Sequence, residues 1–256
     1  MTLRRPLRLV HDGPGEQAEP EPDEFVPGAI ARIYLGGGGS ADDEAALWQR
    51  MLRDGLRIAY WPFALEPSSY DGAHRWLQRE VARFAQVDVV LWRDLGQRTE
   101  HDLDGVDLLW VGGGNTYALL DHVRRTGWVD LVRAHVLRGG EYYGGSAGAV
   151  LAGADIDVAR FADPNDVGLT DTTGLCLLGR AIVRPHWVDD ADGRIEAWGW
   201  STRLDCDVLA IPDDAGLVVV DGVATNVGPA RVDVVRHGDV VPVGARETYL
   251  VHRSRR

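Results

Sequence analysis

The chain contains 256 residues with 27 basic and 39 acidic side chains, which gives a formal charge of −12 and a pI near 5.0. This acidic balance excludes a simple phosphate-binding basic protein, so we expect no nucleic-acid partner. Every basic residue is arginine, because the sequence contains no lysine. Schiff-base catalysis by lysine and a lysine-based phosphate loop are therefore excluded.

The remaining composition, with 45% hydrophobic and 26% charged residues, is typical of a soluble globular protein. Two cysteines, Cys176 and Cys206, are too few for a thiolate metal cluster or a disulfide framework. No apolar run approaches the ~20 residues that span a membrane, and the early arginine pair is not followed by the apolar core of an export signal. We expect a cytoplasmic protein without membrane association.

The first predicted unit is an arm over residues 1–30. Its segment 12–28 is rich in proline, glycine and acidic residues and has neither helical nor strand periodicity. We expect this arm to be at least partly irregular, and we expect residues 31–256 to form a single domain.

From Ala31 onward, apolar runs alternate with segments of helical spacing; the runs are IARIYL, LRIAYW, VDVVLW, VDLLWV, EYYGG and RAIV. This alternation predicts an α/β fold with a mainly parallel, doubly wound sheet in three layers. Ser40, followed by two aspartates, is the expected N-cap of the first helix. After about residue 207, short valine-rich runs from DVLAIP to DVVPV predict antiparallel hairpins at the C-terminus.

The strongest chemical motif is Gly144-Gly145-Ser146-Ala147-Gly148, between the strand-like EYYGG and the small-residue segment AVLAGA. It fits G-x-S-x-G, in which a serine sits on a tight strand-to-helix turn with its hydroxyl exposed. The alternative is an ordinary glycine-rich turn, since the chain has 31 glycines. The motif makes Ser146 the candidate nucleophile.

A second glycine turn, Gly112-Gly113-Gly114-Asn115-Thr116, follows VDLLWV and precedes a helical segment. Free backbone N–H groups at such a turn can bind an oxyanion or a phosphate. The spacing matches neither G-x-G-x-x-G nor a Walker loop, which favours the oxyanion. We expect the glycines at 36–39 to form a turn that borders the site.

A serine nucleophile requires a general base, usually histidine. Among eight histidines, only His186 comes immediately after an apolar strand, in RAIVRPHW, where a parallel sheet would present it beside Ser146. A carboxylate should then hold the imidazole. The turn-like ADPND places Asp163 and Asp166 best among the acids between Ser146 and His186.

These motifs resemble the peptidase E (aspartyl dipeptidase) family of serine peptidases, which also includes cyanophycinases. The resemblance rests on GGSAGA, on WPFA after the second strand, on GGGNTYALL and on the Pro185-His186 pair. The order agrees, with 31 positions from Asn115 to Ser146 and 40 from Ser146 to His186. It covers residues 31 to about 245.

The resemblance implies a class I glutamine-amidotransferase-like fold with serine in place of the nucleophilic cysteine. It implies Ser146 as nucleophile, His186 as base, and the N–H groups of Gly114 and Ala147 as the oxyanion hole. Alignment favours Asp163 as the acid, with Asp166 as its rival. Asp213 or Asp214 in IPDDAG could take that place instead.

The resemblance further implies cleavage after an N-terminal aspartate, with Asn115 and Arg194 as substrate-binding residues. Around Arg194 the chain departs from the family pattern: the segment is shorter and more acidic, and Arg184 replaces a small polar residue before Pro185. A surface helix arginine is the alternative interpretation of Arg194. These departures weaken the expectation of strict aspartyl specificity.

We therefore expect a serine peptidase that hydrolyses dipeptides or short peptides with N-terminal aspartate or a related residue. The expected partner is a small peptide, no metal or organic cofactor is required, and a homodimer is left open. The alternatives are a cyanophycinase-like or isoaspartyl hydrolase, an esterase with the same triad, and a non-catalytic nucleotide-binding α/β protein.

Overall fold

The computed structural model describes residues 31–251, so the predicted arm and the last five residues lie outside the described residues. Six α-helices are found there: α1 (Ala45–Met51), α2 (Tyr70–Val81), α3 (Thr116–Arg125), α4 (Trp128–Leu137), α5 (Ala147–Ala152) and α6 (Ala191–Leu204). The strands are β1 (Arg32–Gly36), β2 (Arg57–Trp61), β3 (Asp88–Leu91), β4 (Leu108–Val111), β5 (Glu141–Gly145), β6 (Ile182–Arg184), β7 (Val208–Ala210), β8 (Gly216–Val220), β9 (Val223–Asn226), β10 (Val232–Arg236), β11 (Asp239–Val243) and β12 (Thr248–Leu250). No helix of this part of the chain is long and apolar enough to cross a membrane.

The strands form two sheets. The large sheet has the order β12-β9-β8-β1-β5-β4-β2-β3, in which β1, β5, β4, β2 and β3 are parallel and β8, β9 and β12 are antiparallel. The register aligns the carboxyl ends of β1, β4 and β5 at one edge, where Gly144 is opposite both Leu35 and Val111. Ligand sites of open α/β sheets lie at this edge.

Helices cover both faces of the large sheet, because alternate side chains of its strands point to opposite sides. On one face, Tyr34, Ile58 and Trp110 pack with the buried side chains of α1 and α2. On the other face, Leu35 and Val111 pack with buried side chains of α3, α4 and α5. The predicted α/β fold with a mainly parallel sheet between helical layers is confirmed.

The small sheet has the order β11-β10-β7-β6 and shares the core of the second face with the large sheet. The sequence interpretation is corrected here in two respects. The RAIV run (β6) is not a strand of the main sheet, and DVLAIP (β7) is not part of a hairpin but lies parallel to β6 after the crossover helix α6. The predicted hairpins β8-β9 and β10-β11 are present.

The first helix begins later than predicted. Ser40 does not cap it: the Ser40 hydroxyl donates to Asp43 at 2.7 Å, and the Ser40 carbonyl accepts from the Glu44 N–H at 3.0 Å, which closes a turn before α1. This turn brings the Glu44 side chain inward, where only 1% of the residue is exposed.

Candidate active site

Ser146 occupies the sharp turn between β5 and α5 that the sequence motif predicts. Its backbone has φ 51° and ψ −112°, a conformation that costs an L-residue energy and that characterises the nucleophile elbow. The turn needs small neighbours, because a Cβ on Gly148 would overlap the carbonyl oxygen of Val111 on β4. Ser146 is thereby held at the carboxyl edge of the large sheet.

His186 lies directly beside Ser146, with 2.9 Å between the serine Oγ and the imidazole Nε2. The helix α5 explains this approach, since it contacts both β5, which carries the serine, and β6, which leads to the histidine. The other ring nitrogen, Nδ1, lies 2.7 Å from a carboxylate oxygen of Asp213. With Nδ1–H donating to Asp213, the Nε2 lone pair is free to accept the serine proton.

Asp213 therefore stands where Asp163 was expected. The Asp163 carboxylate instead accepts from the backbone N–H of Thr116 at 2.8 Å and from its hydroxyl at 2.6 Å, so it satisfies the first turn of α3. Asp166 is exposed in the same loop, and no bond of its side chain to the histidine is found in residues 31–251. Neither acid of ADPND reaches the imidazole.

Asp213 follows β7, and His186 follows β6, two residues beyond its last residue. The two strands are parallel neighbours connected by α6, so their carboxyl ends are adjacent and the loops after them meet. A β-α-β reading of the segment from RAIV to DVLAIP would have brought these two loops together. This β-α-β pattern is hard to recognise in the sequence, because DVLAIP resembles the valine-rich hairpin strands that follow it.

The second glycine turn follows β4 and faces the serine. A Cβ built on Gly113 would lie 3.1 Å from the Ser146 Cβ and 3.6 Å from its Oγ. The backbone N–H groups of Gly114 and Ala147 have no acceptor among the described residues, and the latter is the first N–H of α5. Ala147 follows Ser146 directly in the chain, and Gly114 follows Gly113, whose Cα faces Ser146, so both N–H groups are candidate oxyanion donors.

Asn115, expected to bind substrate, has two hydrogen-bond partners within the protein. Its side-chain oxygen accepts from the Ala118 N–H at 2.8 Å and caps α3, while its amide donates to the Pro164 carbonyl at 2.8 Å. Together with Asp163, these bonds fix the loop 163–164 against the start of α3. The result is a rigid support for the neighbouring glycine turn.

The turn at Gly36–Gly39 borders the site, as expected. The Gly37 carbonyl accepts from the His186 N–H at 2.8 Å. Gly38 has φ +100°, and a Cβ at this position would overlap the imidazole ring of His186 and lie 3.0 Å from the Ser146 Cβ. Glycine is required here because the backbone of the turn lies directly against the histidine.

Arg194, the expected partner of an aspartyl substrate, is paired within the protein. Its guanidinium donates to both carboxylate oxygens of Asp189, at 2.5 and 2.8 Å. Asp189 also accepts from Arg231 at 2.8 Å, and hydrogen bonding to Arg194 lowers the pKa of Asp189. The arginine remains 57% exposed, but its charge is already matched.

The site thus combines a hydroxyl, an imidazole, a carboxylate and two free N–H groups at one sheet edge. A hydroxyl aligned with a histidine can attack a carbonyl carbon, and N–H donors can stabilise the oxyanion that forms. Across residues 31–251, no group of three His, Cys, Asp or Glu side chains is arranged to hold a metal ion. The chemistry that the geometry supports is acyl transfer.

Comparisons with known proteins identify the family and the fold of the chain. The sequence model of Peptidase family S51 matches residues 33–227. The chain is 30% identical over 189 residues to a Peptidase E of Pasteurella multocida (strain Pm70), covering 73% of this chain and 78% of that protein. It is 36% identical to an uncharacterized peptidase of the same strain, but over 85 residues that span 32% of this chain and 41% of the relative.

A solved structure shows the same fold. It belongs to a peptidase from an acI-B1 Actinobacterium, with a TM-score of 0.64 and 18% sequence identity over 87% of this chain and 98% of that one. At this identity the likeness concerns the fold alone.

Proposed function

The chain belongs to Peptidase family S51, and from this premise we propose that it is a serine peptidase acting on dipeptides or short peptides. One observation carries the proposal: an unbroken line of hydrogen bonds runs from Asp213 through His186 to Ser146, beside two free N–H donors. This replaces the acid expected from the sequence by Asp213 and keeps the nucleophile, the base and the oxyanion donors.

In the proposed reaction, the Ser146 Oγ attacks the scissile carbonyl carbon while His186 Nε2 takes the hydroxyl proton. The carbonyl oxygen becomes an oxyanion that accepts from the N–H groups of Gly114 and Ala147. The imidazolium, stabilised by Asp213, then returns the proton to the leaving amine, and the C–N bond breaks. Water attacks the acyl-enzyme with His186 again as base, which releases the acid and restores Ser146.

For the substrate we propose peptides with N-terminal aspartate or a related residue, which is the side chain that the resemblance to peptidase E indicates. A substrate carboxylate would approach a protein with a formal charge of −12. Binding it requires a local positive group that outweighs this field. The guanidinium of Arg194 is already paired with the carboxylate of Asp189. We therefore do not assign the positive group that binds the substrate to Arg194.

Labelling with a fluorophosphonate tests the proposal without knowledge of the substrate. We expect one covalent adduct on Ser146, located by mass spectrometry of a protease digest, because this hydroxyl is the one aligned with His186. Protein denatured before labelling is the control and should not react. An adduct on another residue, or none on the native protein, would contradict the proposal and favour a non-catalytic α/β protein.

Substitution of Arg194 by alanine tests the specificity assignment. We expect the ratio of kcat/KM for Asp-Leu over Ala-Leu to stay within about threefold of wild type, since loss of an already paired surface charge has small effects. The ratio is measured for the variant and for Arg50→Ala, an exposed arginine on α1. If Arg194→Ala lowered kcat/KM for Asp-Leu but not for Ala-Leu, the result would show that Arg194 binds the substrate side chain.

A further inference from the structure

Below the proposed triad lies a buried carboxylate that takes no part in the proposed reaction. It belongs to Glu44, which is 1% exposed and precedes α1. Its side chain occupies the space above Gly36 at the end of β1, since a Cβ on Gly36 would overlap both carboxylate oxygens. A charged group in such a position is costly unless hydrogen bonds compensate the loss of water.

Three donors supply that compensation. Oε1 accepts from the Gly38 N–H at 2.9 Å, and Oε2 accepts from the Tyr143 hydroxyl at 2.7 Å and from the Trp48 indole N–H at 3.1 Å. The pKa of Glu44 is raised, mainly by burial and also by the negative charge of Asp213, and the three hydrogen bonds offset this rise only in part. The donors come from the turn after β1, from the nucleophile strand β5 and from α1, so Glu44 joins three elements around the site.

The Gly38 bond connects this carboxylate to the catalytic histidine. Gly38 lies between them: its N–H points to Glu44, while its Cα faces the imidazole ring closely enough that a Cβ would overlap it. The preceding residue, Gly37, accepts from the His186 N–H. The hydrogen bond from Gly38 to the buried Glu44 carboxylate thus connects the turn that supports His186 to the core.

We infer that Glu44 is a positioning residue, which holds Gly38 against His186 so that the imidazole stays aligned with Ser146. This inference rests on the proposed function for its kinetic consequence. Its structural content, the dependence of the Gly38 turn on the Glu44 carboxylate, can be measured independently of activity.

The Glu44→Gln variant is the direct test. Glutamine has a single acceptor oxygen; with that oxygen facing the Tyr143 hydroxyl and the Trp48 N–H, its NH₂ group faces the Gly38 N–H, and the Gly38 bond is lost. Tyr143→Phe is the matched control, since it removes one bond to the same carboxylate and leaves the Gly38 bond. If Glu44→Gln is too unstable to purify, the volume-conserving pair Glu44→Met/Tyr143→Phe replaces the buried charge by apolar groups and also removes the Gly38 bond.

We expect amide hydrogen exchange at Gly38 to accelerate in Glu44→Gln and to stay as in wild type in Tyr143→Phe. We expect kcat to fall roughly 10- to 100-fold in Glu44→Gln with KM little changed, because a misaligned base slows the chemical step. Tyr143→Phe should keep kcat within about threefold of wild type. A loss of stability alone would affect both variants in the same way.

Two results would overturn the inference: unchanged Gly38 exchange in Glu44→Gln, or rapid exchange with a wild-type kcat. Failure of the proposed function looks different, because wild type itself would then show neither peptide hydrolysis nor fluorophosphonate labelling. In that case the exchange data and the His186 Cε1–H chemical shift still decide whether Glu44 fixes the turn. We expect that shift to change in Glu44→Gln only.

Discussion

Replacement of Ser146 by alanine is expected to abolish peptide hydrolysis, with kcat falling roughly 10⁶-fold. The Ser146 Oγ lies 2.9 Å from His186 Nε2. The sharp turn between β5 and α5 exposes this hydroxyl. His186→Ala should cost about as much, and the double variant little more, because the two groups act as one unit. The measurement is kcat on a short peptide at saturating concentration, with fluorophosphonate titration of active sites.

The chain offers matched controls for the histidine. His101 lies 3.4 Å from Asp104, and His237 lies 3.0 Å from Asp205, so each forms a histidine-aspartate pair without a serine nucleophile. His101→Ala should retain wild-type kcat. If Ser146→Ala kept more than a trace of the rate under these conditions, the assignment of the nucleophile would be wrong.

The second expected result concerns the acid. Asp213→Asn should lower kcat roughly 10⁴-fold with little change in KM, because an amide donor at Nδ1 favours the tautomer whose Nε2 carries the proton. The serine would then face an N–H group instead of a lone pair. The loss should be measured as kcat across the pH range, so that a shifted optimum is not mistaken for a lost rate.

Two asparagine variants serve as controls for this substitution. Asp214→Asn changes the adjacent residue of the same loop, and Asp163→Asn changes the acid that the motif had favoured. Both should keep kcat within about twofold, because Asp214 is exposed and an asparagine oxygen at position 163 can still accept both bonds from Thr116. A 10⁴-fold loss in Asp163→Asn, with an active Asp213→Asn, would reverse the assignment drawn from the structure.

The sequence predicted the sharp turn at Ser146, the candidate nucleophile, because its geometry is local. A serine between small residues at a strand-to-helix junction needs no distant partner to be recognised, and the same holds for the glycine turn that presents Gly114. Between the arm and the C-terminal hairpins, His186 is the histidine that follows a predicted strand. Its position beside Ser146 nevertheless depends on the tertiary fold, because β6 belongs to the small sheet and not to the main one.

The sequence names Asp213 only as an alternative to Asp163 and Asp166, because its position depends on how β6 and β7 pair. The helix between them hides the crossover: Ile195 and Trp198 of α6 are exposed while Ala197 and Trp200 are buried, so its apolar residues do not mark one face. Glu44 gave no signal either. It ends the run ADDE, which reads as a solvated acidic turn, and only the tertiary fold buries it.

The proposed nucleophile and its proposed base are carried by different sheets. Ser146 follows a strand of the large sheet, whereas His186 and Asp213 follow neighbouring strands of the small one. The histidine-aspartate bond is therefore internal to one sheet, and the serine-histidine bond spans the seam between two. On the proposed function, we expect a change in the loops of one sheet to leave the candidate catalytic residues of the other sheet in place.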